Sequence, residues 1–215
     1  VVTEIALYIE GGGDQRDTKN ALREGFGSFL DELNQIARQH RVRWRIVACG
    51  SRNEAFSDFC TAVAQNPGAF NVLLVDAEQS IASAVAGSEC HKLPWTHLKD
   101  RDGWNRPHGV YHTQCILMIQ CMEAWLIADR NNLATYYGPK FKINALPHAA
   151  DVERIDKSAL YEALKKATRD CKNEYHKTRH AFDILRKADP SIVRNAAPHC
   201  NRLFHLLAAA MDAVV

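Results

Sequence analysis

Residues 5–26 read IALYIEGGGDQRDTKNALREGF. The run EIALYI at 4–9 is apolar, with β-branched and aromatic members, and it stops at the carboxylate Glu10 and three glycines. That composition predicts a buried strand followed by a sharp turn. Beyond the turn, Leu22, Phe26, Phe29, Leu30, Leu33, Ile36 and Ala37 recur at three- and four-residue spacings, which predicts one helix face across 17–40. The same order then repeats. WRIVACG at 44–50 predicts a second strand, EAFSDFCTAVAQN at 54–66 a helix stopped by Asn66-Pro67-Gly68, and FNVLLVDAE at 70–78 a third strand running into acids. Alternation of this kind predicts an α/β fold with a mainly parallel sheet covered by helices.

Further along, residues 88–113 are polar and rich in His, Pro and Gly, which predicts a long functional or mobile connection. QCILMIQ at 114–120 predicts a fourth strand, and CMEAWLIADRNNLATYYG at 121–138 has helical spacing. From about 150 the chain reads as helical, with a helix capped by Ser158 and running through Lys166, a second from about 178 to Ala188 and a third over about 197–213. The expected organisation is a core over 1–149 and a helical C-terminal extension over 150–215 packed on it.

Composition narrows the class. The 215 residues are 47% hydrophobic and 24% charged, as expected of a globular protein large enough for one good core. A net charge of +2 is too small to announce a nucleic-acid binder by itself. No apolar run approaches the ~18 residues that cross a bilayer, and no signal-peptide pattern opens the sequence. Seven dispersed cysteines suit a reduced compartment better than a disulfide framework. The expectation is a cytoplasmic protein with no membrane partner.

Ligands of open α/β sheets bind at the carboxyl ends of parallel strands. Glu10 closes the first strand, while Asp76 and Glu78 close the third with one residue between them. Three carboxylates at one edge repel one another unless a cation neutralises them, and hard oxygen donors suit Mg²⁺ or Mn²⁺. Gly11, Gly12 and Gly13 permit a sharp turn and let a phosphate approach backbone N–H groups near the positive end of the first helix. Taken alone, EGGGD is equally a tight strand-to-helix turn, and DAE a solvated helix start. Neither a Walker loop nor a GxGxxG fingerprint is present.

Arg23, Arg52, Lys177 and Arg179 are candidates for substrate phosphates, with a solvated helix or loop charge as the alternative for each. Arg52, in CGSR, has the best position, because its loop opens onto the same sheet edge. In HLKDRDGW at 97–104, Trp104 either stacks on a base or pins the loop to the core. A zinc site finds no CxxC, Cys90, His91 and His97 are too loosely grouped, and no GxSxG marks a serine hydrolase.

The motifs YIEGGGD and LLVDAE together resemble the Toprim domain of topoisomerases, bacterial primases and the overcoming-lysogenization-defect nucleases. In that pattern a glutamate, followed by glycine and then an acid, ends the first strand, and an Asp-x-Asp pair ends the third. Here Glu10 and Asp14 match the first element; Asp76 and Glu78 match the second, with Glu78 longer by one methylene than the family's Asp. With LREGFGSFL, LMIQCMEAWLIAD and HKTRHAFDILRKAD…APHCNRLFHLL added, most of the chain looks like a Toprim-like bacterial family encoded beside ABC-type or AAA ATPases in anti-phage loci. The resemblance implies a Mg²⁺- or Mn²⁺-dependent nuclease acting on DNA or RNA. Glu10 would serve as acid/base or metal ligand, with Asp76 and Glu78 holding the metal. Glu123 and Asp129 follow the fourth strand and could supply a fourth ligand; the alternative for Glu123 is a helix-start acid beside Trp125, and for Asp129 a surface residue, which is the expectation for it. The competing expectation is a non-catalytic Toprim-like adaptor that binds or regulates a partner ATPase.

Overall fold

The computed structural model describes residues 2–81 and 93–212. Four strands, β1 (Glu4–Glu10), β2 (Arg43–Gly50), β3 (Ala69–Asp76) and β4 (Cys115–Met118), form one parallel sheet in the order β2-β1-β3-β4. Period-two alternation assigns its faces. Ile5, Leu7, Ile9, Val72, Leu74, Ile116 and Met118 enter one apolar cluster; Ala6, Tyr8, Leu73, Val75, Cys115 and Leu117 enter another on the opposite face. A sheet buried on both sides explains why these strands read as unbroken apolar runs.

Two helices cover the second face. They are α3 (Arg52–Gln65), started by a Ser51/Glu54 capping box, and α4 (Leu93–Asp102), which buries Trp95 and Leu98. The first face is covered by α1 (Arg16–Phe29), α2 (Asp31–Gln39), α5 (Glu123–Ala128), α6 (Arg130–Tyr137), α7 (Lys157–Thr168), α8 (Lys177–Lys187), α9 (Pro190–Ala196) and α10 (Pro198–Asp212). One continuous cluster joins Phe26 and Phe29 of α1 to Trp125 of α5 and Phe204 of α10 by direct ring contacts. The helices after residue 150 therefore share a core with the strands.

Several elements differ from expectation. The helix expected over 17–40 divides at Leu30, which leaves helical geometry while staying buried, and the acids Asp31 and Glu32 start a new first turn. The helix expected over 121–138 divides at Asp129. That residue is buried rather than superficial: its carboxylate accepts the N–H of Asn132 at 3.0 Å and of Asp189 at 3.0 Å, capping α6 and fixing the start of α9. Between the helices expected to end at Ala188 and to start at about 197, Asp189-Pro190 begins a further helix, with Pro at the first turn where its missing N–H costs nothing. Asp156, not Ser158, caps α7, accepting from the N–H groups of Ser158 and Ala159. The polar stretch at 88–113 contains α4, while its residues 88–92, including Cys90 and His91, lie outside the described residues.

Candidate metal centre

From β1 the chain moves to β2 on one side, then returns to β3 on the other. The reversal of direction lies between β1 and β3, which is where open parallel sheets leave a crevice at their carboxyl ends. Glu10 ends β1 and Asp76 ends β3, so both stand at that crevice. Two residues on, Glu78 has φ +67, so its arm is set by left-handed backbone and not by the strand. The backbone N–H groups of Ala77 and Glu78 still bond to the carbonyls of Met118 and Gln120, at 2.8 and 2.7 Å, which holds this turn against the end of β4.

Carboxylate oxygens of Glu10, Asp76 and Glu78 lie within 4.8 Å of one another. Ligands of one Mg²⁺ ion at about 2.1 Å sit no more than about 4.2 Å apart, so small side-chain adjustments bring all three onto a single ion. Three hard oxygens suit Mg²⁺ or Mn²⁺, and the donor set fits.

Each acid also meets a base. Arg52, the first residue of α3, donates through Nη1 to Glu10 Oε2 at 3.1 Å and to the carbonyl of Asp76. Its Nε and Nη2 bond Asp102 of α4 at 3.0 and 2.8 Å, and its guanidinium lies 5.1 Å from the centre of the Trp104 ring. Trp104 itself stacks on Phe56 at 4.3 Å, which matches the loop-pinning role. Burial opposes the Arg52 charge, but Asp102 and Glu10 outweigh it and hold the pKa above the ordinary value. Lys157, at the start of α7, pairs with Glu78 and, despite partial burial, keeps that carboxyl below the usual range. Lys177, at the start of α8, lies 3.3 Å from Asp76 Oδ2 and 3.9 Å from Glu123 Oε2.

Asp76 is 3% exposed, and its Oδ1 accepts the Met122 N–H at 2.9 Å. Burial pushes its pKa up to about 7; Glu123 and Glu10 add to the rise and Lys177 opposes it. Glu123 is fully buried behind this pair. Its Oε1 accepts the Tyr175 hydroxyl at 2.9 Å, whereas Oε2 has no hydrogen-bond partner. Burial and this carboxylate raise the pKa of Tyr175 and Tyr161, so both phenols keep their protons as donors. Burial works against the Lys177 ammonium, yet Asp76 and Glu123 together raise its pKa well above the ordinary lysine value.

A cavity of about 190 Å³ opens between the glycine turn and α8, reached by Glu10, Asp76, Lys177 and Thr178. Gly11, Gly12 and Gly13 line it with φ of +126, +81 and +54. Only glycine takes such a run readily, and a Cβ on Gly12 would meet the Lys19 backbone at 3.1 Å. Gly11 N–H is not free for a phosphate, because it bonds the Gly50 carbonyl at 2.8 Å. The N–H groups of Gly12 and Gly13 have no acceptor among the described residues.

The structure thus brings together Glu10, Asp76, Glu78, the glycines, Arg52 and Lys177. Arg52 is engaged inside the protein on every nitrogen, so it positions Glu10 and is not available to substrate. Glu123 stands behind Asp76, outside the group of three ligand oxygens. Asp14 is exposed in the turn before α1 and does not line the cavity, and Arg23 is exposed on α1 and bonded to Asn20 at 3.0 Å. Lys157, Asp102 and Tyr175 were not singled out as partners in the sequence. The only signal for Lys157 is its place at a helix start, which does not reveal which strand end it faces.

Residues 9–208 match the profile of a domain of unknown function, DUF4276. The chain belongs to that family. Glu10 and the helices that deliver Lys157 and Lys177 all lie within the DUF4276 match. No curated protein and no solved structure gives a significant match. Among the described residues no helix is long and apolar enough to cross a membrane.

Proposed function

We propose that this DUF4276 protein is a divalent-metal-dependent nuclease that hydrolyses phosphodiester bonds in DNA or RNA. The observation that carries the reading is the meeting of three carboxylate oxygens within 4.8 Å at the crevice between β1 and β3, beside a glycine-lined cavity. The fold and the Glu10, Asp76 and Glu78 positions agree with the Toprim resemblance, which supports the same reaction class by analogy.

Glu10, Asp76 and Glu78 would hold Mg²⁺ or Mn²⁺. When bound, such an ion supplies charge stabilisation to phosphate oxygens and lowers the pKa of a coordinated water. The chain's own groups do the positioning. Arg52 fixes Glu10, and the Met122 N–H fixes Asp76 Oδ1, leaving Oδ2 toward Lys177. The Lys177 ammonium and the N–H groups of Gly12 and Gly13 are placed to meet phosphate oxygens at the cavity. In this reading Glu10 is the group suited to move a proton, because it is more accessible than the buried Asp76. The same resemblance suggests action as the effector of an ATPase of ABC or AAA type in anti-phage defence, and the dispersed cysteines favour a reduced, cytoplasmic setting.

One observation favours a second reading. Glu10, Asp76 and Glu78 each already hold a cation of the protein itself, as a purely structural network in an ATPase-binding adaptor would. The discriminating experiment incubates purified protein with supercoiled plasmid and with total RNA in Mg²⁺ or Mn²⁺, with and without a neighbouring ATPase. Glu10→Gln and Asp76→Asn run in parallel. The nuclease reading expects cleavage lost by about 100-fold or more in both variants. No cleavage by the wild type in any mixture, with ATPase binding intact in all three proteins, selects the adaptor.

A further inference from the structure

A second cavity opens along α8. Tyr136 and Tyr137 of α6, His180 of α8, and Cys171, Lys172 and Asn173 before it line a cleft of about 300 Å³. Its aromatic wall is held in place. Tyr137 stacks on Phe141 at 5.6 Å and meets Tyr136 edge-on at 4.9 Å, while its hydroxyl lies 3.0 Å from His180 Nδ1. That same Nδ1 accepts the His176 N–H at 3.2 Å, which makes it an acceptor and leaves the ring proton on Nε2. Lys187 sits 5.6 Å over the Tyr136 ring.

The cleft is separate from the cavity at the acidic centre, with no lining residue in common, but the two lie on the same helix. His180 follows Lys177 by three residues on one helix, so the two share a face within about one helical turn, ~5 Å. Tyr175 bridges them from below: its ring packs edge-on to His180 at 6.5 Å, and its hydroxyl holds Glu123, the acid behind Lys177. The segment 172–187 also carries five Lys and Arg residues against two acids. Rigid half-buried aromatics, a ring N–H donor and a basic strip beside a phosphate-sized site are the elements of a platform for unpaired bases.

We infer that the Tyr136–Tyr137–His180 cleft is a base-stacking subsite for single-stranded nucleic acid, seating the base of a nucleotide whose phosphate lies at Lys177 and Asp76. The inference rests on the nuclease reading and adds the strandedness of the substrate. A duplex keeps its bases in the stack and cannot fill the cleft without extruding one.

The test is binding in EDTA, where no cleavage occurs. Labelled single-stranded oligonucleotides of DNA and RNA, the matching duplex and a single strand with abasic positions are titrated by fluorescence anisotropy. Proteins are the wild type, Tyr136→Ala, Tyr136→Phe and, as an independent probe from the other helix, His180→Ala. Expected is preference for the single strand with bases, weakened roughly 5- to 150-fold by Tyr136→Ala and retained by Tyr136→Phe. The abasic strand should bind wild type and Tyr136→Ala alike. Equal binding of the intact strand by wild type, Tyr136→Ala and His180→Ala overturns the subsite, even where metal-dependent cleavage is present. Base-dependent binding with no cleavage in any metal keeps the subsite and removes the nuclease.

Discussion

At the carboxyl edge of the sheet, β1 and the end of β3 supply acids; the helices between 157 and 187 supply the ammonium groups that meet two of them. The strand ends give the site its donors, and the helical layer gives it its charge balance. Partners are far apart in sequence: Lys177 lies 101 residues from Asp76, and Lys157 lies 79 from Glu78. The C-terminal helices are therefore part of the candidate centre as well as part of the core. The difference also shows in how each acid is held, since Glu78 is below its ordinary pKa beside Lys157, while burial raises Asp76 despite Lys177.

The largest expected effect separates these two acids by pH. With a native pKa of about 7 against 3.8 in the unfolded chain, Asp76 binds its proton more tightly in the folded protein. Its contribution to stability is fully present below about pH 4 and is lost as pH rises through 7, amounting to a few kcal/mol by linkage. Thermal melts in EDTA should show wild type losing stability relative to Asp76→Asn between pH 5 and 8. Parallel curves for the two proteins would mean that Asp76 is ionised throughout.

Next in size is the buried support. Glu123→Leu leaves the Tyr175 hydroxyl without its acceptor, at an expected cost of about 1–3 kcal/mol in denaturant melts. A stability change within about 0.5 kcal/mol would show that Tyr175 finds another partner or water.

How much of this was legible in sequence differs between the two regions. Strands buried on both faces produce unbroken apolar runs, and a crevice at a strand end leaves an acid where the run stops, so Glu10 and Asp76 were readable. Cations contributed by α7 and α8 leave no comparable mark, because a lysine in the first turn of a helix looks the same whether it faces water or Glu78. Asp129 misled for the same reason: its burial depends on capping the distant Asp189 N–H, which local pattern does not encode. The breaks at Leu30 and Asp129 were hidden by apolar spacing that continues across them.

Lys177→Met probes the helix side alone. Removing an ammonium 3.3 Å from Asp76 should tighten Mn²⁺ binding by roughly tenfold, the scale of one neighbouring charge, while lowering cleavage. Weaker Mn²⁺ binding in this variant would show that Lys177 organises the acids and does not compete with the ion. The smallest effects belong to residues carried outward: Arg23→Ala and Asp14→Ala should change stability by less than about 0.5 kcal/mol and leave cleavage unaltered. A large loss of cleavage in either would extend the substrate path onto α1.

The most direct test of the acidic centre is a calorimetric Mn²⁺ titration at pH 8, above the Asp76 transition, on wild type, Glu10→Gln, Asp76→Asn and Glu78→Gln. The account expects saturable binding by the wild type and at least about tenfold weaker binding in every variant. Equal binding by all four proteins, or none by the wild type, would contradict a metal centre and leave three ion pairs in its place.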